Sequence, residues 1–324
     1  MLVEKLSAVG ARLGRELVDR ELADILDELS ALPASAIVHA SREIGYAARL
    51  GWYKRSETPK RGLVQELMKE KPAFAWLFLF HPDGHVREAA LNAINTPPAS
   101  PFFFAALAWR LNDWAPQVRW AAARCITRVL HRATTEIAAD AAIYLLDRRL
   151  AWGRWRDEVE ILDRLFARSD VIAALALHLH EQATGPLASR LRHALRHASI
   201  DVHLLHLATS ARQPSVRAIA YQCLISGKAA WIVGFERIWI DKVFNKKRYV
   251  PRLETREIRR PRPVADLIRQ AASDKSASVR KIAADGLIAV RSELENADEL
   301  IAAFVGDPSP AVRSRADYLL RHPA

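Results

Sequence analysis

A short arrangement of residues occurs five times in this chain of 324 residues. In each copy a Val-Arg pair follows a turn and an Ala stands four residues after the Val, as in DWAPQVRWAAARCI, Asp113 to Ile126. A unit of about 33 residues explains the spacing if two degenerate copies lie in one gap and an insertion of about 30 residues in another. The period restricts the chain to a repeat architecture. The reference residues are Val86, Val118, Val216, Val279 and Val312.

The residues around each Val predict a pair of helices. The residue eight after each Val is aliphatic, so Val, the Ala and this residue form one apolar stripe on a helix. Three copies carry an Asp five residues before the Val and three carry a Pro two residues before it, and both are helix-start signals. Each unit therefore reads as a first helix, a tight turn and a second helix that opens at the Val-Arg pair. Two helices cannot bury their apolar faces alone, so we expect the units to stack into a solenoid.

This pattern resembles the HEAT-like repeat families, in which a turn Asp, a Val and an Arg mark the start of the second helix. The resemblance covers about residues 70 to 321. It implies a ladder of contacts between successive units, formed by Asp113, Asp274 and Asp307 with Arg87, Arg119, Arg217, Arg280 and Arg313. Two copies depart from the pattern, with His81 and Ala211 in place of the Asp.

Composition narrows the class of protein. Gly is scarce, at 12 residues, and strand-like alternation is nearly absent, so the chain should be mostly helical. Together with the stacked repeat units, this predicts an all-α fold, a right-handed α-solenoid of about seven helical pairs. The first residues form no continuous apolar segment of the signal-peptide kind, and the most apolar runs are too short to span a bilayer. Two cysteines, Cys125 and Cys223, provide no disulfide framework. We therefore expect a cytoplasmic protein without membrane contact.

The chain divides into four predicted segments. Residues 1–69 contain helical patterns without a Val-Arg copy and are interpreted as an N-terminal cap. HEAT-like repeats occupy 70–233, with the degenerate units at about 134–200, and C-terminal repeats occupy 264–324. A basic insertion occupies 234–263.

The insertion is the exception to the helical pattern. Its β-branched and aromatic residues flank a polar NKK, which predicts two extended strands joined by a turn. From Glu236 to Pro263 it carries ten Lys and Arg against four Asp and Glu, more than half of the net charge of +11. Basic residues among aromatics suit single-stranded nucleic acid, an acidic protein surface or a solvated edge cover, and the sequence leaves all three open. The candidate contact residues are Trp239, Lys242, Lys246, Lys247, Arg248, Arg252, Arg256, Arg259 and Arg260.

A second candidate contact lies around Trp120. It stands two residues after its Val, where other copies have Glu, Ala, Lys and Ser, so we expect it to face outward. Arg124 and Arg128 follow on the same helical face, and Trp114 is close in sequence. Exposed Trp among Arg is typical of binding hot spots, although packing against a neighbouring unit explains the residue equally well.

Other chemistry is weakly marked in the sequence. The repeat Arg residues form a row that suits phosphates, but their place beside a turn Asp favours structural pairing. His193 and His197 have a spacing that can hold a metal, yet no further ligand motif accompanies them. No nucleophile motif, Gly-rich phosphate loop or separate carboxylate pair occurs, so we expect no cofactor, no metal and no catalysis.

One resemblance would supply an activity. The HEAT-like DNA alkylation-repair glycosylases imply a Trp and an Asp four residues apart on a concave face, and WRLND offers Trp109 and Asp113. Asp113, however, matches the ordinary turn Asp, and the second helix has Trp120 and Ala121 where the glycosylase residues are expected. Burial of Asp113 against repeat Arg residues would argue against this activity.

The function expected from the sequence is non-catalytic binding. A repeat scaffold would bind a partner with an acidic surface through its concave face and its basic insertion. A protein partner is preferred over nucleic acid by a narrow margin, and the oligomeric state is left open.

Overall fold

The computed structural model describes residues 2–12, 19–48, 50, 61–155, 157–294 and 297–322. These residues are mostly helical, with one two-stranded antiparallel sheet. The chain forms two compact units, the first ending at Val171 and the second beginning at Ile172. The predicted all-α character and the strands of the insertion are both confirmed. No helix in the described ranges is long and apolar enough to cross a membrane.

The first unit contains the Val-Arg copies at Val86 and Val118, with further helices before and after them in the sequence. Its helices are α1 (Leu2–Arg12), α2 (Asp19–Ser30), α3 (Ile37–Ala47), α4 (Arg61–Glu70), α5 (Phe74–Phe78), α6 (Gly84–Ala93), α7 (Pro101–Leu111), α8 (Pro116–Val129), α9 (Thr135–Leu145) and α10 (Glu160–Phe166). Helix α6 packs between α4 and α8, and α7 packs between α3 and α9. Equivalent helices of successive copies therefore lie side by side, and the helices within 1–69 pack directly on them.

The second unit contains the other three copies. Its elements are most of α11 (Ser169–Glu181), then α12 (Leu187–Ala194), α13 (Asp201–Ser210), α14 (Pro214–Ser226), β1 (Lys228–Asp241), β2 (Lys246–Glu257), α15 (Val264–Ala272), α16 (Ala277–Val290), α17 (Ala297–Val305) and α18 (Pro310–Arg321). Helix α14 packs between α12 and α16, and α16 also packs on α18. Gly286 permits this approach, because a Cβ there would lie 2.5 Å from Cγ2 of Ile225 on α14.

Every second helix begins where the pattern predicted. Helices α6, α8, α14, α16 and α18 each start two residues before the reference Val, and Pro116, Pro214 and Pro310 occupy the first turn. The Val and the Ala of each stripe are buried. The last stripe differs from the prediction, because Leu320 is exposed and Leu319 is buried instead.

The predicted ladder of Arg and Asp contacts is present for three of the five repeat Arg residues. Arg119 lies near Glu158 instead, and Arg313 pairs with no turn Asp in the described ranges. Arg87 pairs with Asp113 at 2.8 Å, Arg217 with Asp274 at 2.7 Å and Arg280 with Asp307 at 2.6 Å. Each repeat Arg also donates to the backbone carbonyls five and six residues before it. A fixed set of internal acceptors explains why Arg recurs here, and the row of repeat Arg is structural.

The side chain of each turn Asp binds the backbone amide of the residue that immediately precedes the second helix. In each complete turn an Asp Oδ1 accepts the amide of the residue two positions later, which is Ala115, Ser276 or Ser309. His81, which stands where the first copy lacks its Asp, accepts the amide of Asp83 through Nδ1 at 3.0 Å. An imidazole can therefore replace the carboxylate when this nitrogen is unprotonated, and burial lowers the pKa of His81 to about 4.

The hairpin starts earlier than the sequence suggested. Strand β1 begins at Lys228, six residues before the predicted insertion, immediately after Gly227 ends α14 with a φ of +72°. Strand β2 ends at Glu257, and residues 258–263 return to the helices without further strand. Gly suits the left-handed conformation that redirects the chain at this point.

Candidate functional site

The hairpin is tethered at its base and exposed over the rest of its length. At the base, the Arg256 guanidinium donates to both carboxylate oxygens of Asp201 and to the carbonyls of Leu195 and His197. Arg260 donates to the carbonyls of Leu224 and Ile225 at the end of α14. These two predicted contact residues therefore use their guanidinium groups inside the chain. Beyond the base, both faces of the ribbon are largely exposed.

The strand register sorts the outer hairpin into two faces. Phe235 is opposite Pro251, Arg237 is opposite Tyr249, and Trp239 is opposite Lys247. Directly opposed residues of an antiparallel pair project to the same side, so these six side chains share one side of the ribbon. We call them the aromatic face. Its rings are well exposed: Phe235 58%, Trp239 43% and Tyr249 68%.

Cations lie over the central ring of the aromatic face. The Lys247 Nζ is 4.2 Å from the centroid of the Trp239 ring, and the Arg237 Cζ is 5.8 Å from it. Such contacts contribute only about 0.5–1 kcal/mol at exposed sites. A ligand can therefore displace either cation from the ring at small cost and still meet its charge.

The tip and the opposite face carry further positive charge. Asp241 holds the turn by accepting the amides of Val243 and Phe244, and Asn245 adopts a φ of +50°, a conformation that Asn tolerates. Lys242, Lys246, Arg248, Arg252 and Arg259 are exposed, and their side chains make no ion pair or hydrogen bond within the described part of the chain.

The predicted contact around Trp120 is only partly open. Trp120 faces outward as predicted, at 56% exposure, and Trp114 is 69% exposed. Arg124 is exposed and donates to the Asn92 side chain at 3.4 Å. The Arg128 guanidinium is engaged, because it donates to the carbonyls of Leu91 and Ile94 at the end of α6. Arg128 therefore binds the end of α6, and Arg124 is the exposed Arg of this candidate contact.

The first unit also holds a cavity that sequence reasoning missed. Its volume is about 870 Å³, and it lies between α3, the turn before α6 and the end of α7. Its wall includes Trp109, Arg110, Asp113 and Trp114. One signal was available in the sequence: Arg110 stands three residues before its turn Asp, where two other copies have Ala271 and Phe304.

Asp113 is fully occupied inside this cavity wall. Its side chain is 2% exposed. Its two oxygens accept from Arg87 Nε and Nη2, from Arg110 Nη1 and from the amide of Ala115. A carboxylate with four donors has no lone pair directed at a ligand, so the burial that argues against the glycosylase activity is observed.

The remaining candidates are part of the protein interior. Cys125 and Cys223 are buried and unpaired, and burial raises the pKa of each thiol to about 11. His193 lies on α12, but His197 follows the end of that helix in extended backbone, so the two residues do not share a helical turn. In the ranges that the structure describes, no group of three or more His, Cys, Asp or Glu side chains is arranged to hold a metal ion.

No protein-family model matches the chain, and no curated protein shows significant similarity to it. The case for function therefore rests on the hairpin and the cavity.

Proposed function

We propose that this protein binds nucleic acid without catalysis, through the aromatic face of its hairpin. The helical pairs would form a right-handed α-solenoid of HEAT-like repeats that carries the hairpin. The observation behind the proposal is that three exposed rings share one face with Arg237 and Lys247. An isolated two-stranded hairpin is only marginally stable in water, so a long exposed one with large apolar side chains suits a surface that a partner covers.

Unpaired bases fit the aromatic face better than a duplex. Residues two apart on a strand are separated by about 7 Å. Tyr249 is opposite Arg237, midway between Phe235 and Trp239, so the three rings follow one another at about this spacing and offer successive stacking surfaces. Stacking of a base on an aromatic side chain contributes about 1–3 kcal/mol and tolerates any base. Arg237 and Lys247 on the same face, with the exposed Lys of the tip, would meet the phosphates, and the cations of the opposite face would add only longer-range attraction. This charge makes the affinity depend on salt.

The charge distribution supports the hairpin rather than the repeats as the contact. The repeat Arg residues and Arg128 are occupied by internal acceptors, whereas Lys242, Lys246, Arg248 and Arg252 are exposed without such acceptors in the described ranges. Phosphate binding needs guanidinium and ammonium groups whose N–H donors are not already held by acceptors within the chain. The proposal accordingly departs from the protein partner that the sequence favoured.

A protein with an acidic surface is the second candidate. The exposure of Trp114 and Trp120 favours it, because Trp is enriched at protein interfaces. Among the described residues of the first unit, however, the other exposed large apolar side chains are Val3, Val38 and Tyr46, and these residues form no broad apolar patch around Trp120. A glycosylase is disfavoured by the four donors on Asp113. The proposal involves no cofactor and places the protein in the cytoplasm, where its two buried thiols would stay reduced.

The test is fluorescence anisotropy of labelled single-stranded and duplex DNA and RNA with matched hairpin variants. One variant removes two cations of the aromatic face, Arg237→Gln with Lys247→Gln. Its control removes the same charge from other exposed hairpin positions, Arg248→Gln with Arg252→Gln. A third variant, Trp239→Ala, removes the central ring, and Ile238→Ala is its opposite-face control.

We expect single strands to bind more tightly than duplexes. Trp239→Ala should weaken single-strand binding about 5-fold to 100-fold, and Ile238→Ala should change it little. Loss of the two aromatic-face cations should weaken binding more than the control pair does. Absence of binding to every nucleic acid would reject the proposal in favour of the acidic protein, and equal effects on the two faces would reject the assigned face.

A further inference from the structure

The cavity of the first unit has an unusual charge for a wall inside a helical protein. Two guanidinium groups, Arg87 and Arg110, share the single carboxylate of Asp113, and the side chains of all three are at most 8% exposed. One buried positive charge is therefore left without a carboxylate. Burying an uncompensated charge is strongly unfavourable, so a second anion beside these two guanidinium groups would be stabilised.

Arg110 has donors left for that anion. Its Nη1 donates to Asp113 at 2.9 Å, and its Nη2 donates to Ser41 Oγ at 3.1 Å. The guanidinium carries further N–H groups, and among the described residues they meet no other acceptor. Burial lowers the pKa of Arg110 to about 10, so it is still charged at neutral pH. Arg42 and Arg154, both exposed, add two more positive charges to the same wall.

Aromatic rings form the other part of the wall. Trp109 packs edge-on against Trp152, with ring centroids 4.8 Å apart, which fixes its orientation beside Arg110. Trp114 and Tyr46 line the cavity and are 69% and 63% exposed. A volume of about 870 Å³ lies within the range of small-molecule sites. Rings beside guanidinium groups can stack on a flat ligand and bind its anionic group at the same time.

We call each pair of a repeat Arg and the turn Asp of the next copy a rung. The Arg217–Asp274 rung of the second unit is equivalent to Arg87–Asp113, and it shows which features of the cavity wall the repeat does not require. A cavity of about 560 Å³ lies beside Asp274 and Arg217. There, Gln270 takes the place of Trp109, Lys275 that of Trp114 and Ala271 that of Arg110. One Arg meets one Asp, so no charge is left over. The rings and the additional Arg of the first unit are therefore additions to the common rung.

We infer that the cavity between α3 and the end of α7 binds a mononucleotide group, a planar heteroaromatic base joined through a sugar to a phosphate. The phosphate lies against Arg110 with Arg42 or Arg154, and the ring stacks on Trp114 and Trp109. The ligand is either a free nucleotide or the phosphorylated end of a strand. The inference does not rest on the hairpin, because every residue of this wall belongs to the first unit.

The test is isothermal titration calorimetry of the full chain with the four 5′-ribonucleoside monophosphates, with adenosine and with inorganic phosphate. At least one mononucleotide should bind, and adenosine and phosphate should each bind at least about tenfold more weakly, because each lacks one half of the ligand. A 5′-phosphorylated dinucleotide distinguishes the two sources: tighter binding than the mononucleotide indicates a strand end, and weaker binding indicates a free nucleotide.

Matched variants locate the site. Arg110→Met and Trp114→Ala should each weaken mononucleotide binding by about tenfold, whereas Trp114→Phe should retain most of it. The controls at the second rung, Gln270→Ala and Lys275→Ala, and the hairpin variant Trp239→Ala should leave it unchanged. Trp114 is exposed, so its variants keep the fold even if Arg110→Met does not. No binding of any mononucleotide, or binding that Trp114→Ala leaves intact, would overturn the inference without touching the hairpin proposal.

Discussion

The repeat arginines and the hairpin cations look alike in the sequence and differ in what surrounds them. Each repeat Arg lies over a turn whose carbonyls it binds, and three of the five also pair with the Asp of the next copy. The outer hairpin presents Lys and Arg with no carboxylate partner in the described ranges. A regular row of positive charge is thus structural here, and an irregular cluster is the candidate contact.

The difference shows that internal partners, rather than charge, distinguish structural cations from candidate contacts. Arg256 and Arg260 belong to the basic insertion by sequence, yet by their contacts they anchor it to the helices. We therefore expect substitutions of the first group to change stability and those of the second group to change binding.

The largest effect should appear at Asp113. Asp113→Asn leaves two buried guanidinium groups without a carboxylate and should lower the free energy of unfolding by about 3–5 kcal/mol. Asp274→Asn removes the carboxylate partner of a single Arg, Arg217, which is less buried than Arg87. It should lower the free energy of unfolding by about 1–3 kcal/mol. Urea denaturation at neutral pH, followed by circular dichroism, measures both. Equal costs would contradict the distinct role of the first rung.

His81 should make the first turn sensitive to pH. Its pKa is about 4 in the folded chain and about 6.5 in the unfolded chain, so the unfolded state binds more protons between these values. The stabilisation is complete above pH 6.5 and falls by about 3 kcal/mol as the pH drops to about 4. His81→Asp restores the repeat carboxylate and should remove this dependence. Parallel curves for the two proteins, from urea denaturation across this range, would contradict the prediction.

Two arginines of strand β2 allow the same comparison, between a cation with internal partners and one without, to be made within the insertion. Arg256→Met removes the bidentate pair with Asp201 and two carbonyl contacts, so it should cost about 1–3 kcal/mol. Arg252→Met removes an exposed side chain and should stay within about 0.5 kcal/mol. Thermal denaturation compares them, and a costly Arg252→Met would show that the outer hairpin has a structural partner.

The smallest effect on stability should come from trimming the hairpin. Gly234 is opposite Arg252, so residues 235–251 can be replaced by an Asn-Gly turn that joins these two positions. The base contacts of Arg256 remain, and the unfolding free energy of the helices should change by about 0.5 kcal/mol or less. A larger loss, measured by urea denaturation, would mean that the hairpin serves to cover the helices.

The repeat made much of the fold predictable, because its signals are local. Val, Arg, Ala and Pro at fixed spacing located the second helices, and the resemblance to HEAT-like repeats implied the Arg and Asp contacts. The start of β1 was missed because Ala229 to Val233 continue the apolar character of α14. Alternation over Phe235, Arg237 and Trp239 is visible in the sequence, yet only the register adds Tyr249 and Lys247 to the same face.

The site was less predictable, because its decisive contacts join distant residues. Arg128 binds carbonyls more than thirty residues away, and Arg256 binds Asp201. The cavity depends on Ser41, which lies 69 residues from its partner Arg110. No local pattern distinguishes an Arg with such a partner from an Arg without one, so the sequence alone does not separate Arg128, Arg256 and Arg260 from the exposed cations.

The most direct measurement is the affinity for a labelled single-stranded oligonucleotide of the intact chain and of the trimmed chain that lacks residues 235–251, at about 50 and 200 mM salt. Binding through the hairpin predicts that the intact chain binds with an affinity that falls steeply between the two salt concentrations. It also predicts that the trimmed chain, with its helices intact by circular dichroism, loses nearly all of this binding. Equal affinity of the two chains, or no binding by the intact chain, would contradict the proposed role of the hairpin.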